Sequence, residues 1–210
     1  MPAKKTAPNA PDTRPKLARA MPFILIITGI VGIISSFVLT YDKMELLKNP
    51  RFTPNCNLDP VLSCGTVMHT AQSSALGFPN PWLGLIGFSI VVTIGVAILA
   101  GATFKHWFWV AFQAGMGLAL LFAYWLLFES IYKIQALCPY CLAVDVVLIT
   151  CFWYLTIYNT REGHLPVPAR LIGVADFARR YHVEILVSWF VILVALILQH
   201  FWYYYGQFLR

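Results

Sequence analysis

Residues 137–158 read LCPYCLAVDVVLITCFWYLTIY; after the opening Cys-Pro-Tyr-Cys motif the run is almost wholly apolar. A helix needs about 20 apolar residues to cross a bilayer core, and this run is long enough. Its apolar residues do not alternate with polar ones, as they would in the strands of a membrane barrel. The run therefore predicts a transmembrane helix with two cysteines near its first turn.

Four further apolar runs have a similar length: residues 21–41, 82–104, 107–128 and 185–205. Of the 210 residues, 59% are hydrophobic and 11% are charged. A typical soluble domain has about 25% charged residues, and so little charge could not cover its surface. The sequence predicts an all-α integral membrane protein, with a four-helix transmembrane bundle and a fifth transmembrane helix.

The same runs predict how the chain is organised. Residues 1–20, rich in Pro, Ala and basic side chains, are expected to form a disordered cytoplasmic tail. Residues 21–158 would form the bundle, with an outer cysteine-containing segment at 42–81. Residues 159–183 would form a cytoplasmic linker, and residues 184–210 the fifth helix.

Basic residues predict the orientation, because cytoplasmic segments carry an excess of Lys and Arg. With the N-terminus in the cytoplasm, most of the 15 Lys and Arg residues fall on that side. They are Lys4, Lys5, Arg14, Lys16, Arg19, Lys105, Arg161, Arg170, Arg179 and Arg180. We therefore expect a multi-pass protein of the cell inner (plasma) membrane. The net charge of +6 is explained by topology and lipid contact, with no nucleic-acid partner.

Four of the five cysteines fall on the predicted outer side, where disulfides form and persist. Cys56 and Cys64 lie in a segment rich in Pro, Asn and Ser, which is able to close a short disulfide. Cys138 and Cys141 lie at the start of a helix. Pro139 suits the first helical position, so Cys138 should lie near the cap, where free N–H groups favour a thiolate.

This arrangement suggests an electron relay. Electrons would enter at a water-exposed Cys56/Cys64 pair, pass by thiol–disulfide exchange, and leave from Cys138/Cys141 at the membrane edge. Two alternatives stay open: a non-enzymatic scaffold with two structural disulfides, and a metal site of four thiolates. Cys151, in mid-span, is interpreted as a small buried hydrophobe.

The order of these residues resembles a known family. The pattern is Cys56-x7-Cys64, then Thr70, then Asn80-Pro81-Trp82-Leu83-Gly84, then Cys138-Pro139-Tyr140-Cys141. It is similar to the vitamin K epoxide reductase family over about residues 21–158, and specifically to bacterial members that reoxidise DsbA-like proteins. The resemblance implies a quinone-dependent thiol–disulfide oxidoreductase with its active site on the outer face. It also implies a DsbA-like thioredoxin-fold partner and a quinone (menaquinone or ubiquinone) as electron acceptor.

The resemblance also implies roles for the cysteines. Cys56 would meet the partner, and Cys64 would pass electrons inward by attacking Cys138. Cys141 would lie nearest the quinone and reduce it. No resident metal is implied.

Three polar residues complete the candidate site. Thr70 matches a Ser/Thr position of the family, and Asn80 matches an Asn that hydrogen-bonds the quinone carbonyl. Their alternatives are a helix-surface hydroxyl and a turn residue. Asp145 departs from the family pattern and shares a helix face with Cys141, four residues earlier. It would supply protons to the quinone or tune Cys141; the alternative is a polar contact at the outer mouth.

Overall fold

The structure, a computed structural model, describes residues 16–206, apart from the side chains of Lys16 and Tyr205. Over this part of the chain it is all-α, without a β-strand. Five of its helices are long and apolar enough to cross a membrane. The predicted class, an all-α membrane protein with five spans, is therefore confirmed.

Eight α-helices make up most of the described chain. In order they are α1 (Lys16–Lys48), α2 (Cys64–Met68), α3 (Pro81–Leu99), α4 (His106–Glu129), α5 (Pro139–Arg161), α6 (Ile172–Arg180), α7 (His182–His200) and α8 (Trp202–Tyr205). Short turns of 3-10 helix lie at Ala71–Ser74 and Ala169–Leu171, and one turn of π-helix at Ser130–Ile134 extends α4.

Helix α1 is longer than the apolar run that predicted it. It begins at Lys16, so residues 16–20, assigned from the sequence to a disordered tail, are helical; Leu17, Ala18 and Ala20 all favour a helix. Residues 1–15 of that tail lie outside the described part of the chain. At its other end α1 continues to Lys48. With 33 residues it is about 50 Å long, more than the about 30 Å of a bilayer core.

The bundle is built around α1, which packs against α3 and α5, while α4 packs against α5. Two glycines allow α1 and α3 to approach closely. The Phe88 ring occupies the space that a Cβ on Gly32 would need, and the Ser36 side chain does the same for Gly84. A larger residue at either glycine would therefore force the two helices apart.

The fifth span lies against the bundle through its aromatic residues. The indole N–H of Trp189, on α7, donates to the Tyr124 hydroxyl at 2.6 Å. The helix predicted over residues 184–210 is interrupted at Phe201, and residues 207–210 lie outside the described chain. The Phe201 ring is fully buried and packs in one cluster with Val61 and Leu137, next to the cysteines.

Candidate active site

The outer segment between α1 and α3 is docked on the start of α5 by main-chain hydrogen bonds. The Leu137 N–H donates to the Val61 carbonyl at 2.7 Å, and the Ser63 N–H donates to the Leu137 carbonyl at 2.8 Å. The Ser63 hydroxyl caps α2 by accepting from the Thr66 N–H. These contacts fix Cys64, the first residue of α2, against the start of α5.

The four outer cysteines form one compact group. Cys56 and Cys64 are joined by a disulfide, with their Cα atoms 5.6 Å apart. Cys138 and Cys141 are free thiols. The Cys138 sulfur lies 3.4 Å from the Cys64 sulfur, within the 3–3.5 Å range of a near-attack geometry. The Cys138 sulfur is therefore close enough to exchange with the Cys56–Cys64 disulfide without a large movement.

The start of α5 favours a thiolate at Cys138, as the sequence predicted. Cys138 is the N-cap residue, Pro139 begins the helix, and the Cys141 N–H donates to the Cys138 sulfur at 3.3 Å. The Cys141 thiol and the N–H groups of Cys141 and Tyr140 lower the pKa of the Cys138 thiol below its usual value, although burial opposes this shift. The surroundings of Cys138 therefore favour its thiolate form.

The expectation of a water-exposed loop pair is wrong for this structure. Cys56 is 5% exposed and Cys64 is fully buried. The reason is that α1 continues beyond the apolar run, so that Leu39 and Leu46 pack in the same cluster as both cysteines. The last turns of α1 therefore cover the Cys56–Cys64 disulfide.

A cavity of about 690 Å³ opens behind Cys138 and Cys141, between α1, α3, α4 and α5. Its walls are mostly apolar, as is usual for small-molecule sites of this size. Polar side chains are few among the lining residues, and they include Lys43, Asn80 and Asp145. The cavity has the size and the apolar character that a lipid-soluble ring compound needs.

The family model described as the vitamin K epoxide reductase family matches residues 23–156, more than half of the chain. The chain belongs to this family. The suspected resemblance is thereby confirmed, and membership indicates a membrane thiol–disulfide oxidoreductase. The match includes all five cysteines and ends before α6 and α7, so the fifth span lies outside it. No curated protein matches the sequence.

The three polar residues of the predicted site have different surroundings. Asn80 lines the cavity and also braces the outer segment, because its side-chain NH₂ donates to the Gln72 carbonyl at 2.7 Å and its oxygen accepts from the Ala75 N–H at 3.1 Å. Asp145 lines the same cavity. The Thr70 hydroxyl instead donates to its own segment, to the Val67 carbonyl at 2.7 Å, and Thr70 is not among the lining residues.

Sequence analysis missed two residues of this family member. The Lys43 ammonium donates to the Met68 carbonyl at 2.6 Å and to the Ser73 hydroxyl at 2.8 Å, and its side chain borders the cavity. Asp42 is 7% exposed, and its Oδ2 lies 3.9 Å from the Cys56 sulfur. The sequence had assigned both only to the outer cysteine-containing segment at 42–81. The signal available was the spacing of Leu39 and Leu46, seven residues apart, which continues one helical face past them.

The alternative of a four-thiolate metal site requires four reduced cysteines. Two of the four are joined as a disulfide. Within residues 16–206, no group of three or more His, Cys, Asp or Glu side chains is arranged to hold a metal ion.

Proposed function

We propose that the protein is a membrane thiol:quinone oxidoreductase that supports disulfide-bond formation outside the cytoplasm. It takes two electrons from a reduced DsbA-like thioredoxin-fold protein and passes them through two cysteine pairs to a membrane quinone. The observation that carries this proposal is the 3.4 Å distance between the Cys64 and Cys138 sulfurs, with the apolar cavity directly behind them.

The thiol steps follow the order of the sulfurs. A thiolate of the partner attacks Cys56, and the Cys56–Cys64 bond breaks to release the Cys64 thiolate. Cys64 then attacks Cys138 of an oxidised Cys138–Cys141 pair, and Cys141 leaves with the electron pair. The partner's second thiolate attacks its own sulfur in the mixed disulfide, so that the partner leaves oxidised and Cys56 is freed as a thiolate. Attack by Cys56 on Cys64 then restores the outer disulfide and releases Cys138. The described state, with the outer pair oxidised and the inner pair reduced, corresponds to the end of this sequence.

The cavity supports quinone as the acceptor. When bound there, a quinone would accept two electrons from the inner pair and two protons. Lys43 uses two of its three ammonium protons on protein acceptors, which leaves one for a carbonyl oxygen at the cavity wall. Asn80 likewise has a second amide proton, and Asp145 stands one helical turn from Cys141 to carry a proton. Menaquinone and ubiquinone both satisfy this description.

The orientation is proposed on the distribution of charge. The start of α1, the α3–α4 connection and the α5–α7 connection lie at the same end of an alternating bundle. That end carries most of the basic residues, which favours the cytoplasmic side. The cysteine pairs lie at the other end, so the active site would face outward from the inner (plasma) membrane.

Anaerobic mixing of the purified protein, a reduced thioredoxin-fold partner and a quinone analogue tests the function. Wild-type protein should form quinol, and Cys141→Ala should abolish it. Cys151→Ala is the matched control, because Cys151 is buried on the same helix but does not line the cavity. If Cys141→Ala forms quinol as fast as the wild type, the proposed function is refuted. The alternative of a non-enzymatic scaffold with two structural disulfides would then be favoured.

A further inference from the structure

We propose that Asp42 is a catalytic acid–base residue that holds and returns the proton of Cys56 during exchange with the partner protein. The inference rests on the proposed function and assigns a group to its outermost step. It adds a reacting side chain to the four cysteines, at the point where the chain meets its protein substrate.

The geometry places Asp42 at the sulfur. Asp42 lies on α1 between Leu39 and Leu46, the two residues that pack with Cys56 and Cys64. The residue is 7% exposed, and its Oδ2 lies 3.9 Å from the Cys56 sulfur. In the disulfide this sulfur has no proton to donate, so any hydrogen bond here must be donated by a protonated Asp42.

Within residues 16–206, Asp42 forms no ion pair that would stabilise its buried carboxyl group. Among residues 16–206, the salt bridges join Lys48 to Glu45, Lys133 to Glu129 and Arg179 to Asp176. The adjacent cation, Lys43, is bound instead to the Met68 carbonyl and the Ser73 hydroxyl. A buried carboxyl without a cation is costly to retain, which suggests a use for it.

The ionisable groups packed around this site are few. Cys56 packs in one cluster with Cys64, from the outer segment, and with three residues at the start of α5: Cys138, Tyr140 and Cys141. Lys43 comes close to the same cluster, because its ammonium donates to the Met68 carbonyl and to the Ser73 hydroxyl. Asp42 is the carboxyl group within hydrogen-bond distance of the Cys56 sulfur.

Cys56 needs such a group more than Cys138 does. The Cys138 thiolate is stabilised by N–H groups at the start of α5. Cys56 lies in a turn, is 5% exposed, and has Asp42 as its side-chain hydrogen-bond neighbour. A bare thiolate leaving into this apolar pocket would be poorly solvated, whereas a carboxyl in contact can neutralise it.

One proton moves between Asp42 and Cys56 during each exchange cycle. The second thiolate of the partner attacks the partner's sulfur in the mixed disulfide, which breaks its bond to Cys56. The electron pair goes to the Cys56 sulfur, which takes the proton of Asp42. Asp42, now a carboxylate, then takes that proton back as Cys56 attacks Cys64 in the Cys64–Cys138 disulfide. The Cys138 thiolate leaves with the electron pair, and Asp42 ends as it began.

The first experiment measures turnover with pH, using full-length Asp42→Asn and, as a matched control, Glu45→Gln. Glu45 lies one turn away on α1 and pairs with Lys48 at the surface. Asp42→Asn should lower turnover by about tenfold or more near neutral pH, a modest share of what general acid–base groups contribute. Its rate should approach that of the wild type at high pH, where hydroxide can deprotonate Cys56. An unchanged pH profile, or an equal loss in Glu45→Gln, would overturn the proposal.

A second measurement does not need turnover or a variant of Asp42. In a Cys64→Ser protein, Cys56 is a free thiol, and its alkylation rate can be followed peptide by peptide as the pH rises. With Asp42 intact, the rate should rise in two inflections, since the two coupled groups lose protons separately. A single inflection at the pH of an ordinary cysteine contradicts the proposal. Two inflections in this variant, together with a wild-type protein that reduces no quinone analogue, would instead reject the proposed function and retain the Asp42–Cys56 pair.

Discussion

Removing Cys56 and Cys141 together should convert the contact between the two pairs into a covalent bond. The Cys56→Ala/Cys141→Ala protein keeps Cys64 and Cys138, whose sulfurs are 3.4 Å apart. A disulfide bond is about 2.05 Å long, so the sulfurs need to approach by only about 1.4 Å. We expect this protein to form the Cys64–Cys138 disulfide in air, in most molecules and without added oxidant.

The bond should also raise thermal stability by an amount that follows from the length of the loop it closes. Cys64 and Cys138 are separated by 74 residues, so the chain-entropy relation gives about 4.5 kcal/mol. The native Cys56–Cys64 bond, with a separation of 8, gives about 2.5 kcal/mol by the same relation. The oxidised variant should therefore unfold at a higher temperature than wild type in detergent, and dithiothreitol should reverse the difference.

Non-reducing peptide mapping by mass spectrometry reports which cysteines are joined. A control that retains Cys64 and Cys151, with the other three cysteines changed to Ala, should stay reduced because Cys151 lies in mid-helix away from the outer segment. Free thiols at Cys64 and Cys138 after air oxidation would refute the relay geometry. So would a dimer linked between chains in place of the internal bond.

Three further results are expected. Gly32→Leu should destabilise the α1–α3 packing by about 1–3 kcal/mol, measured as a lower unfolding temperature, while Gly87→Leu, where nothing stands within 4 Å, should not. Lys43→Met should raise the KM for a quinone analogue about tenfold, the scale of one charge-assisted hydrogen bond, whereas Lys48→Met should leave it unchanged. Reduced protein should show thiolate absorbance at pH values below about 8.5, the usual pKa of a cysteine. This absorbance should decline as the pH falls through the lowered pKa of Cys138, and it should be absent in Cys138→Ala.

The sequence predicted the membrane class and the start of α5 because both depend on local signals. A run of apolar residues is sufficient to indicate a span. Pro139 between two cysteines was sufficient to place Cys138 at a helix cap, as it is in the structure. The family pattern, carried by the spacing of four cysteines, was recognisable for the same reason.

The parts that were missed depend on contacts between distant segments. Hydropathy detects where a helix leaves the bilayer, but α1 continues past that point to Lys48. The burial of Cys56, and the contacts made by Asp42 and Lys43, follow from that extension. Nothing in the sequence links residue 43 with the Met68 carbonyl, 25 positions away, which only the folded outer segment brings within reach.

The contact that aligns the two cysteine pairs is made by main-chain atoms at Val61, Ser63 and Leu137. Main-chain donors and acceptors are common to nearly all residue types, so most substitutions at these positions would leave both bonds intact. Proline at Ser63 or Leu137 is the exception, since it has no N–H to donate. Side chains at these three positions can thus vary while the distance between the Cys64 and Cys138 sulfurs is maintained.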